Sequence, residues 1–468
     1  MSIRRAGRTS FERETELLVI GAGACGLCAA LAARERGVDV TVLERDETPR
    51  GGTGISGGEI AAAGTAIQRE RDIADDPERF ADEILAKARG QTDAKMARAM
   101  ARASGPTVDW LVKRHNVPLT LEHMPYPGQS VLRAHALRSE TEGPSGAELS
   151  GRLLEAAHRA GAEIITGAAV VDLHATSTNR IRGATFRRMR RRHRIGCRAA
   201  VFACSGFEGS DEMIRRYIPE MAGAPSFGHP GNRGDAIAWG QALGAAVADL
   251  GSYQGLGSVA WPEGISMWML CLVGGGFQVN VKGERFSDES RGYSEQAPDV
   301  IAQPGRIAWS IHDRHGHRLL LPFVRYREAL ESGIVRIASS GPALAAATGL
   351  PASRLQHTLR EVRAAIAGGY RDRFGRDFSS HRVLRPPYYA VRVTGAIFHT
   401  QGGLVVDERA RVLRPDGRPL PNVFAGGGAA RGLSGPASWG YLSGVGLMMA
   451  TTLGRLAGES AADLLLGH

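Results

Sequence analysis

Residues 17–44 constrain this chain more than any other stretch. Leu17-Leu18-Val19-Ile20 is a short apolar run that reads as a buried parallel strand. Gly21-Ala22-Gly23-Ala24-Cys25-Gly26 follows at once. Leu27 to Arg36 reads as a helix rich in Ala and Leu, Gly37 ends it, and Val38 to Leu43 is a second strand closing on Glu44. Gly21 permits a tight turn, Gly23 lets a pyrophosphate reach the backbone, and Gly26 lets the helix pack on the strand. The helix N-terminus offers N–H groups and the positive end of its dipole to phosphate. Glu44, 18 residues beyond Gly26, is placed to accept from a ribose hydroxyl. A carboxylate at this position argues against a 2′-phosphate. The unit predicts a dinucleotide site.

A second glycine cluster, Gly51-Gly52-Thr53-Gly54-Ile55-Ser56-Gly57-Gly58, lies too close to begin another nucleotide domain. It reads as backbone wrapping the same ligand further along. Pro77 to Arg114 is helical in pattern and is expected as a surface helix pair. Ser145 and Glu148 are spaced as a capping box before a helix to Gly161, and Ala162 to Leu173 reads as strands. Ala199 to Ala203 is another buried strand. From about Pro225 the texture changes. An Ala-rich helix follows Asp235, Phe277 to Phe286 looks like a hairpin turning at Lys282-Gly283, and helices follow at 341–348 and 353–367. Tyr388 to Val393, Gly403 to Val406 and Val423 to Ala425 read as strands, and a helix from Gly444 to Leu466 ends the chain. No second strand-glycine-helix-strand-acid unit occurs, so no separate nicotinamide domain is expected and the bound dinucleotide is itself the redox group. The expected class is α/β. A Rossmann-like nucleotide domain is built from both chain ends, 1–224 and 381–468, with an inserted α+β capping segment at 225–380.

Composition excludes several alternatives. With 468 residues, 43% apolar and 23% charged, the chain is globular and long enough for two domains. Five cysteines cannot form a disulfide framework, and Cys25, Cys28, Cys197, Cys204 and Cys271 read as buried thiols. The net charge of +10 is local, because Arg187, Arg188, Arg190, Arg191, Arg192 and Arg194 supply more than half of it. No aromatics interleave this run, so it reads as a solvated surface hairpin and not as a nucleic-acid site; an anionic partner is the alternative. The uncharged stretches Gly264 to Val281 and Gly432 to Gly454 are broken by Gly, Pro and polar residues, so no membrane span is expected. Met1 to Arg13 lacks an apolar signal core, and a soluble, cytoplasmic protein is expected. His312, His315 and His317 lie among arginines and read as a solvated segment, with no metal expected.

Five matches in order give a family resemblance: the first glycine unit with Glu44; Gly51-Gly52 through Gly58; Gly234-Asp235; Gly283-Glu284-Arg285-Phe286 through Asp288-Glu289; and His399-Thr400-Gln401-Gly402-Gly403 leading to Phe424-Ala425-Gly426-Gly427. The chain resembles the fumarate reductase and succinate dehydrogenase flavoprotein superfamily, nearest to the soluble 3-ketosteroid and tricarballylate dehydrogenase types. The resemblance implies FAD. It puts Gly21, Ala22, Gly23, Cys25, Gly26, Glu44 and Arg45 at the ADP half, and Val170 at the adenine. It puts Gly51, Gly52, Thr53, Ser56, Gly57 and Gly58 along the pyrophosphate and isoalloxazine. Asp235, Gly427, Ser443, Gly444, Val445 and Leu447 then approach the flavin. Covalent relatives carry a His among residues 51–58; none stands here, so noncovalent FAD is expected.

Departures from the pattern point to the substrate. The position where fumarate reductases carry a carboxylate-clamping Arg is Tyr441, and the Glu after the last strand is replaced by Gly427. Ketosteroid dehydrogenases use a Tyr in this neighbourhood, helped by a backbone N–H, to polarise a ketone, and place another Tyr soon after the hairpin Glu. Here those are Tyr441, with an N–H near Gly444, and Tyr293 after Glu289, expected as the base with Arg291 as a helper; Tyr126 is a supporting candidate, and Glu289 is a family-matched catalytic candidate or a plain hairpin charge. His399 is expected to fix the flavin-side loop or touch substrate. Trp261, Met267, Trp268 and Met269 suggest an apolar wall or ordinary core. The leading expectation is an FAD-dependent dehydrogenase that desaturates a C–C bond α,β to a carbonyl of a small molecule, with an external electron acceptor. The alternatives are a reductase of an enone or unsaturated carboxylate, and a non-catalytic flavoprotein.

Overall fold

The computed structural model describes residues 2–6, 9–123, 126, 128–137, 145–268 and 274–467. The chain forms two units: Met1–Tyr217, Gly228–Tyr253 and His399–His468 make the first, Ile218–Phe227 and Gln254–Phe398 the second.

The first unit is built on a nine-stranded sheet. Its heart is parallel. Strand Pro419–Ala425 lies beside Arg191–Phe202, then come Arg13–Ile20, Val40–Leu43 and Glu163–Ile165. The apolar stretches are continuous there because both faces are covered. The helix Ala24–Glu35 is buried nearly all round, which explains why its sequence has no polar stripe. The last helix, Val445–Leu466, packs on it. A Cβ placed at Gly454 would lie 2.3 Å from the Cys25 carbonyl oxygen, and one at Gly458 would lie 2.2 Å from that of Ala29. The two helices therefore meet backbone to backbone.

The helix Ala94–His115 of the expected surface pair buries Met96, Met100, Val108 and Leu111, so one face of it is core. Ala169–Ala175, Ile181–Arg188 and Arg191–Phe202 form an antiparallel meander, Ser2–Arg5 adds to it in parallel, and Arg411–Leu413 pairs antiparallel with Pro419–Ala425. Within it, Ile181–Arg188 and Arg191–Phe202 turn at Met189 and Arg190, both at positive φ. The arginine run is thus an exposed hairpin.

Residues 228–253 group with the first unit rather than with the expected insert. Arg45 pairs with Asp235 at 3.0 Å, and the Trp239 ring lies 5.8 Å from that of Phe202. Residues 381–398 group with the second unit, because Tyr388–Thr400 is the strand against which Ile307–Asp313 pairs.

The second unit has a six-stranded sheet, with the helices Gly341–Thr348 and Ala352–Gly368 supplying much of one core. The expected hairpin at 277–286 forms only its turn. Asn280 N–H donates to the Glu284 carbonyl, and the Asn280 side chain accepts from Lys282 and Glu284. Strand Phe277–Val279 pairs with Ile307–Asp313 instead, and the returning segment is drawn into a buried ion cluster. There Glu289 accepts from Arg285 at 2.6 and 3.0 Å, from Arg376 at 2.8 Å and from the Gln278 backbone at 2.9 Å.

The histidine segment also departs from expectation, since His312 is fully buried. The Tyr326 hydroxyl sits 2.8 Å from His312 Nε2 and 3.0 Å from His317 Nδ1, and His317 stacks on Tyr389. Among the described residues, no cluster of His, Cys, Asp or Glu is arranged to hold a metal, and no helix is long and apolar enough to cross a membrane. Cys271 and Met269 lie outside the described residues.

Breaking the ion cluster leaves Glu289 short of a buried partner. Arg376→Met is expected to lower the unfolding free energy by about 3 kcal/mol, read by urea denaturation. Burial pushes the His312 pKa down to about 3, whereas the unfolded imidazole titrates near 6.5. The unfolded chain takes up that proton first, so stability is lost as pH falls from about 6.5 towards 3. Burial opposes ionisation of Glu289, but Arg285 and Arg376 hold its carboxyl below the usual range, which adds acid sensitivity of the same sign. The thermal midpoint is expected to fall steadily from pH 7 to pH 5, and less steeply in His312→Gln.

Candidate active site

The glycine turn is close-packed on one side and open on the other. Gly21 has φ +105°, and a Cβ there would lie 2.5 Å from the Ala203 carbonyl oxygen. A Cβ at Gly26 would lie 1.9 Å from the Gly21 carbonyl oxygen, so the helix start is pressed onto the strand end. At Gly23 a Cβ would meet only Thr53 Oγ1, at 3.5 Å, and at Gly51 or Gly52 it would meet nothing within 4 Å. Gly23 caps the first helix without a side-chain bond. Thr53 Oγ1 accepts from Ala24 N–H at 3.0 Å. Glu44 is fixed at the second strand's end by Ala22 N–H at 2.7 Å and Asp46 N–H at 3.0 Å.

The other expected ligand-side residues divide into two sets. Arg45 holds Asp235, whose carboxyl burial pushes up. Val170 is buried on its strand, two residues beyond Ala168, whose N–H donates to the Glu44 carbonyl. Ser56 Oγ accepts from Gly58 N–H at 3.1 Å. Gly57 is exposed. Gly58 is needed for packing: a Cβ there would meet the Gly146 nitrogen at 2.9 Å. The Cys25 thiol is likewise a packing group. It is buried against Gly426, and burial raises its pKa far above the ordinary thiol value. Gly427, at φ +59°, lies over the Cys25 side chain. Gly444, at φ +79°, caps the last helix just before Val445, again with no side-chain bond. Its carbonyl accepts from Ala61 N–H at 3.2 Å, and the Ser443 carbonyl accepts from Gln129 at 2.8 Å. Leu447 is half-buried.

A second cluster gathers at the start of that last helix. The rings of Tyr441 and His399 meet edge to face at 5.4 Å. His399 Nδ1 lies 2.7 Å from the Gln401 amide nitrogen. Burial pushes the His399 pKa down to about 4, so the imidazole is neutral at pH 7. Burial, and then the neighbouring Glu59, raise the Tyr441 phenol well above its ordinary value, against the pull of the Gly446 and Gly444 N–H groups on its oxygen. The N–H near Gly444, expected to serve a substrate carbonyl, is thus turned to Tyr441. Tyr126 donates to Glu59 Oε1, and burial with Glu122 pushes the Glu59 pKa up to about 7.

Sequence reasoning missed Glu59. Its one signal was a lone charge in an otherwise uncharged run from Gly51 to Gln68.

The second unit carries the other two expected residues. Tyr293 is buried at the first position of the helix Tyr293–Ile301, edge to face with Trp268 at 5.3 Å. Glu289, expected as a site candidate, has its carboxylate paired with Arg285 and Arg376. Arg291 is half-exposed and ion-paired with Asp299. Met267 is core and Trp261 is half-buried. Tyr441, His399 and Tyr126 belong to the first unit, Tyr293 and Glu289 to the second.

The family model described as FAD binding domain matches residues 16–444. The chain belongs to this family. It is 28% identical to a probable fumarate reductase of Shewanella frigidimarina over 98% of this chain and 77% of the relative. The open conformation of a flavocytochrome c3 fumarate reductase superposes with TM-score 0.82 at 28% identity, covering 98% of this chain and 79% of that one. A 3-ketosteroid-Δ4-(5α)-dehydrogenase from Rhodococcus jostii superposes with TM-score 0.80 at 25% identity, covering 98% and 99%. The protein is an FAD-dependent oxidoreductase acting on CH–CH bonds, with a Rossmann-like FAD-binding domain made from both chain ends. The non-catalytic alternative falls with that finding. Its residues fit the cofactor: glycine backbone without Cβ, two helix starts lacking side-chain caps, and a fixed carboxylate beyond the second strand. Gly26→Ala drives a methyl into the Gly21 carbonyl. That variant is expected to purify colourless and to bind added FAD at least tenfold more weakly by fluorescence quenching, a loss of about 1.4 kcal/mol or more. Retention of FAD at wild-type affinity contradicts the close packing.

Proposed function

We propose that this protein desaturates a C–C bond next to a ketone carbonyl in an apolar cyclic substrate of the 3-oxosteroid type. One observation carries the reading: the groups clustered at the last helix start are uncharged or acidic. Tyr441 is a neutral phenol, His399 a neutral imidazole, and Glu59 accepts a hydrogen bond from the Tyr126 hydroxyl. Among the described residues, none of the neighbours that set these protonation states is a cation. A dicarboxylate would face this cluster without charge compensation, whereas a ketone needs only a hydrogen-bond donor.

The FAD contacts proposed are those of the glycine turn and Glu44 to the ADP half, Thr53 and its glycine neighbours to the pyrophosphate, and the Ser443 to Leu447 turn to the flavin ring. Noncovalent attachment goes with this reading. When bound, FAD supplies a two-electron hydride acceptor. The chain's own residues do the rest. Tyr441 donates its hydroxyl proton in a hydrogen bond to the ketone oxygen, which acidifies the α carbon. The Gly444 and Gly446 N–H groups hold the phenol oxygen in place. The dipole of the last helix favours negative charge at its N-terminus.

A second reading, reduction of an unsaturated acid, is favoured by the names of the relatives, which include fumarate reductases and a urocanate reductase. Anaerobic mixing separates the two. Oxidised enzyme is expected to lose its flavin absorbance with a saturated 3-oxosteroid, and reduced enzyme to remain reduced with fumarate; the reverse pair of results overturns the reading. Tyr441→Phe is expected to keep FAD and to slow ketone oxidation by about 10²–10³-fold. Tyr293→Phe, assayed in parallel, tests the base implied by the resemblance, and an unchanged rate removes Tyr293 from the mechanism.

A further inference from the structure

Removing an α proton requires an acceptor near neutral pH, and a phenol with its ordinary pKa of about 10 is a poor one. The first unit holds a better group. Glu59 is the only charge between Gly51 and Gln68, and it sits between the second glycine cluster and the strand that touches Gly444. Its side chain is deeply enclosed yet keeps partial solvent access, as a group lining a recess does and a core group does not. Among the described residues, its charged and titratable neighbours are Tyr126, whose hydroxyl donates to Oε1, Glu122, which repels it, and Tyr441, whose phenol it keeps protonated. His123 lies beside Glu122 and partly offsets that acid.

We propose that Glu59 is the proton acceptor of the reaction, acting through the Tyr126 hydroxyl. This rests on the ketone reading above. The Cα–H bond breaks and its proton passes to Tyr126 Oη, while the Tyr126 O–H proton moves to Glu59 Oε1. The electron pair left on Cα forms the new C=C bond. The Cβ hydrogen would leave with its own pair, which bound FAD would accept as the two-electron acceptor. Substrate is oxidised by two electrons, FAD is reduced by two, Tyr126 ends neutral as it began, and Glu59 holds one extra proton that it returns to solvent. Glu59 is thus a positioning and proton-storing residue, and Tyr126 is the group that touches substrate. A carboxylate with a pKa near 7 is half-ionised at neutral pH, which suits alternate uptake and release.

The test is the pH profile of kcat/KM for a saturated 3-oxosteroid in the FAD-loaded enzyme. Wild type is expected to gain activity through a limb near pH 7, as Glu59 ionises. Glu59→Gln is expected to keep its FAD and thermal midpoint, lose that limb and drop about 10²–10⁴-fold, while Glu59→Asp restores both in part. Tyr126→Phe is expected to fall similarly. Infrared titration without substrate gives an independent readout: a protonated-carboxyl band that fades through about pH 7 in wild type and is missing in Glu59→Gln. Ketone turnover in Glu59→Gln at near-normal rate with the limb intact overturns this proposal alone. Loss of FAD in Glu59→Gln with full activity and limb in Glu59→Gln reconstituted with FAD overturns it as well. Fumarate turnover with no ketone turnover in wild type overturns the ketone reading and this proposal with it.

Discussion

The first unit depends on a seam of small residues between its first and last helices. Gly454 and Gly458 lie one turn apart on the last helix, and each leaves room only for a carbonyl of the first. Larger side chains would separate the helices by the width of a methyl or more. The consequence reaches both helix starts. One begins at Gly23, on the open side of the glycine turn; the other begins at Gly444, beside Tyr441. These two backbone-to-backbone contacts therefore tie the glycine turn to the segment that carries Tyr441, although the two segments lie more than 400 residues apart in the sequence.

Burial does different work in the two units because the neighbours differ. Around Tyr441 no cation among the described residues compensates for lost hydration, so the phenol and the His399 imidazole stay neutral and Glu59 holds its proton to near neutrality. Around Glu289 two arginines more than compensate, and the carboxylate stays ionised although it is fully buried. The first arrangement can take up and release protons near pH 7. The second cannot, and it serves to pin the segment leading to Tyr293.

Much of this was legible in the sequence where a residue's task is local. The glycines of residues 21–26, the acid at 44 and the parallel strands follow from the backbone's own needs, and the family order of motifs reached the cofactor and the bond class. Tasks set by distant partners were hidden. Glu289 stood open between a family-matched site residue and a plain hairpin charge because Arg376, 87 residues on, was not visibly its partner. His312 looked solvated because its neighbours in sequence are charged, while its neighbours in space are Tyr326 and Tyr389. Gly58 looked like ligand-side backbone, and its close contact is the start of the helix Gly146–Arg159. Glu59 passed unnoticed because a single acid carries no periodicity or motif; its meaning comes from enclosure beside Tyr126 and Tyr441.

The most direct test of a neutral, donor-type site is a crystal structure of the FAD-loaded protein with a 3-oxosteroid bound. The account predicts the ketone oxygen within hydrogen-bond distance of Tyr441 Oη, about 2.5–3.0 Å. A ketone oxygen held by an arginine or lysine, with the Tyr441 hydroxyl engaged elsewhere, would contradict it.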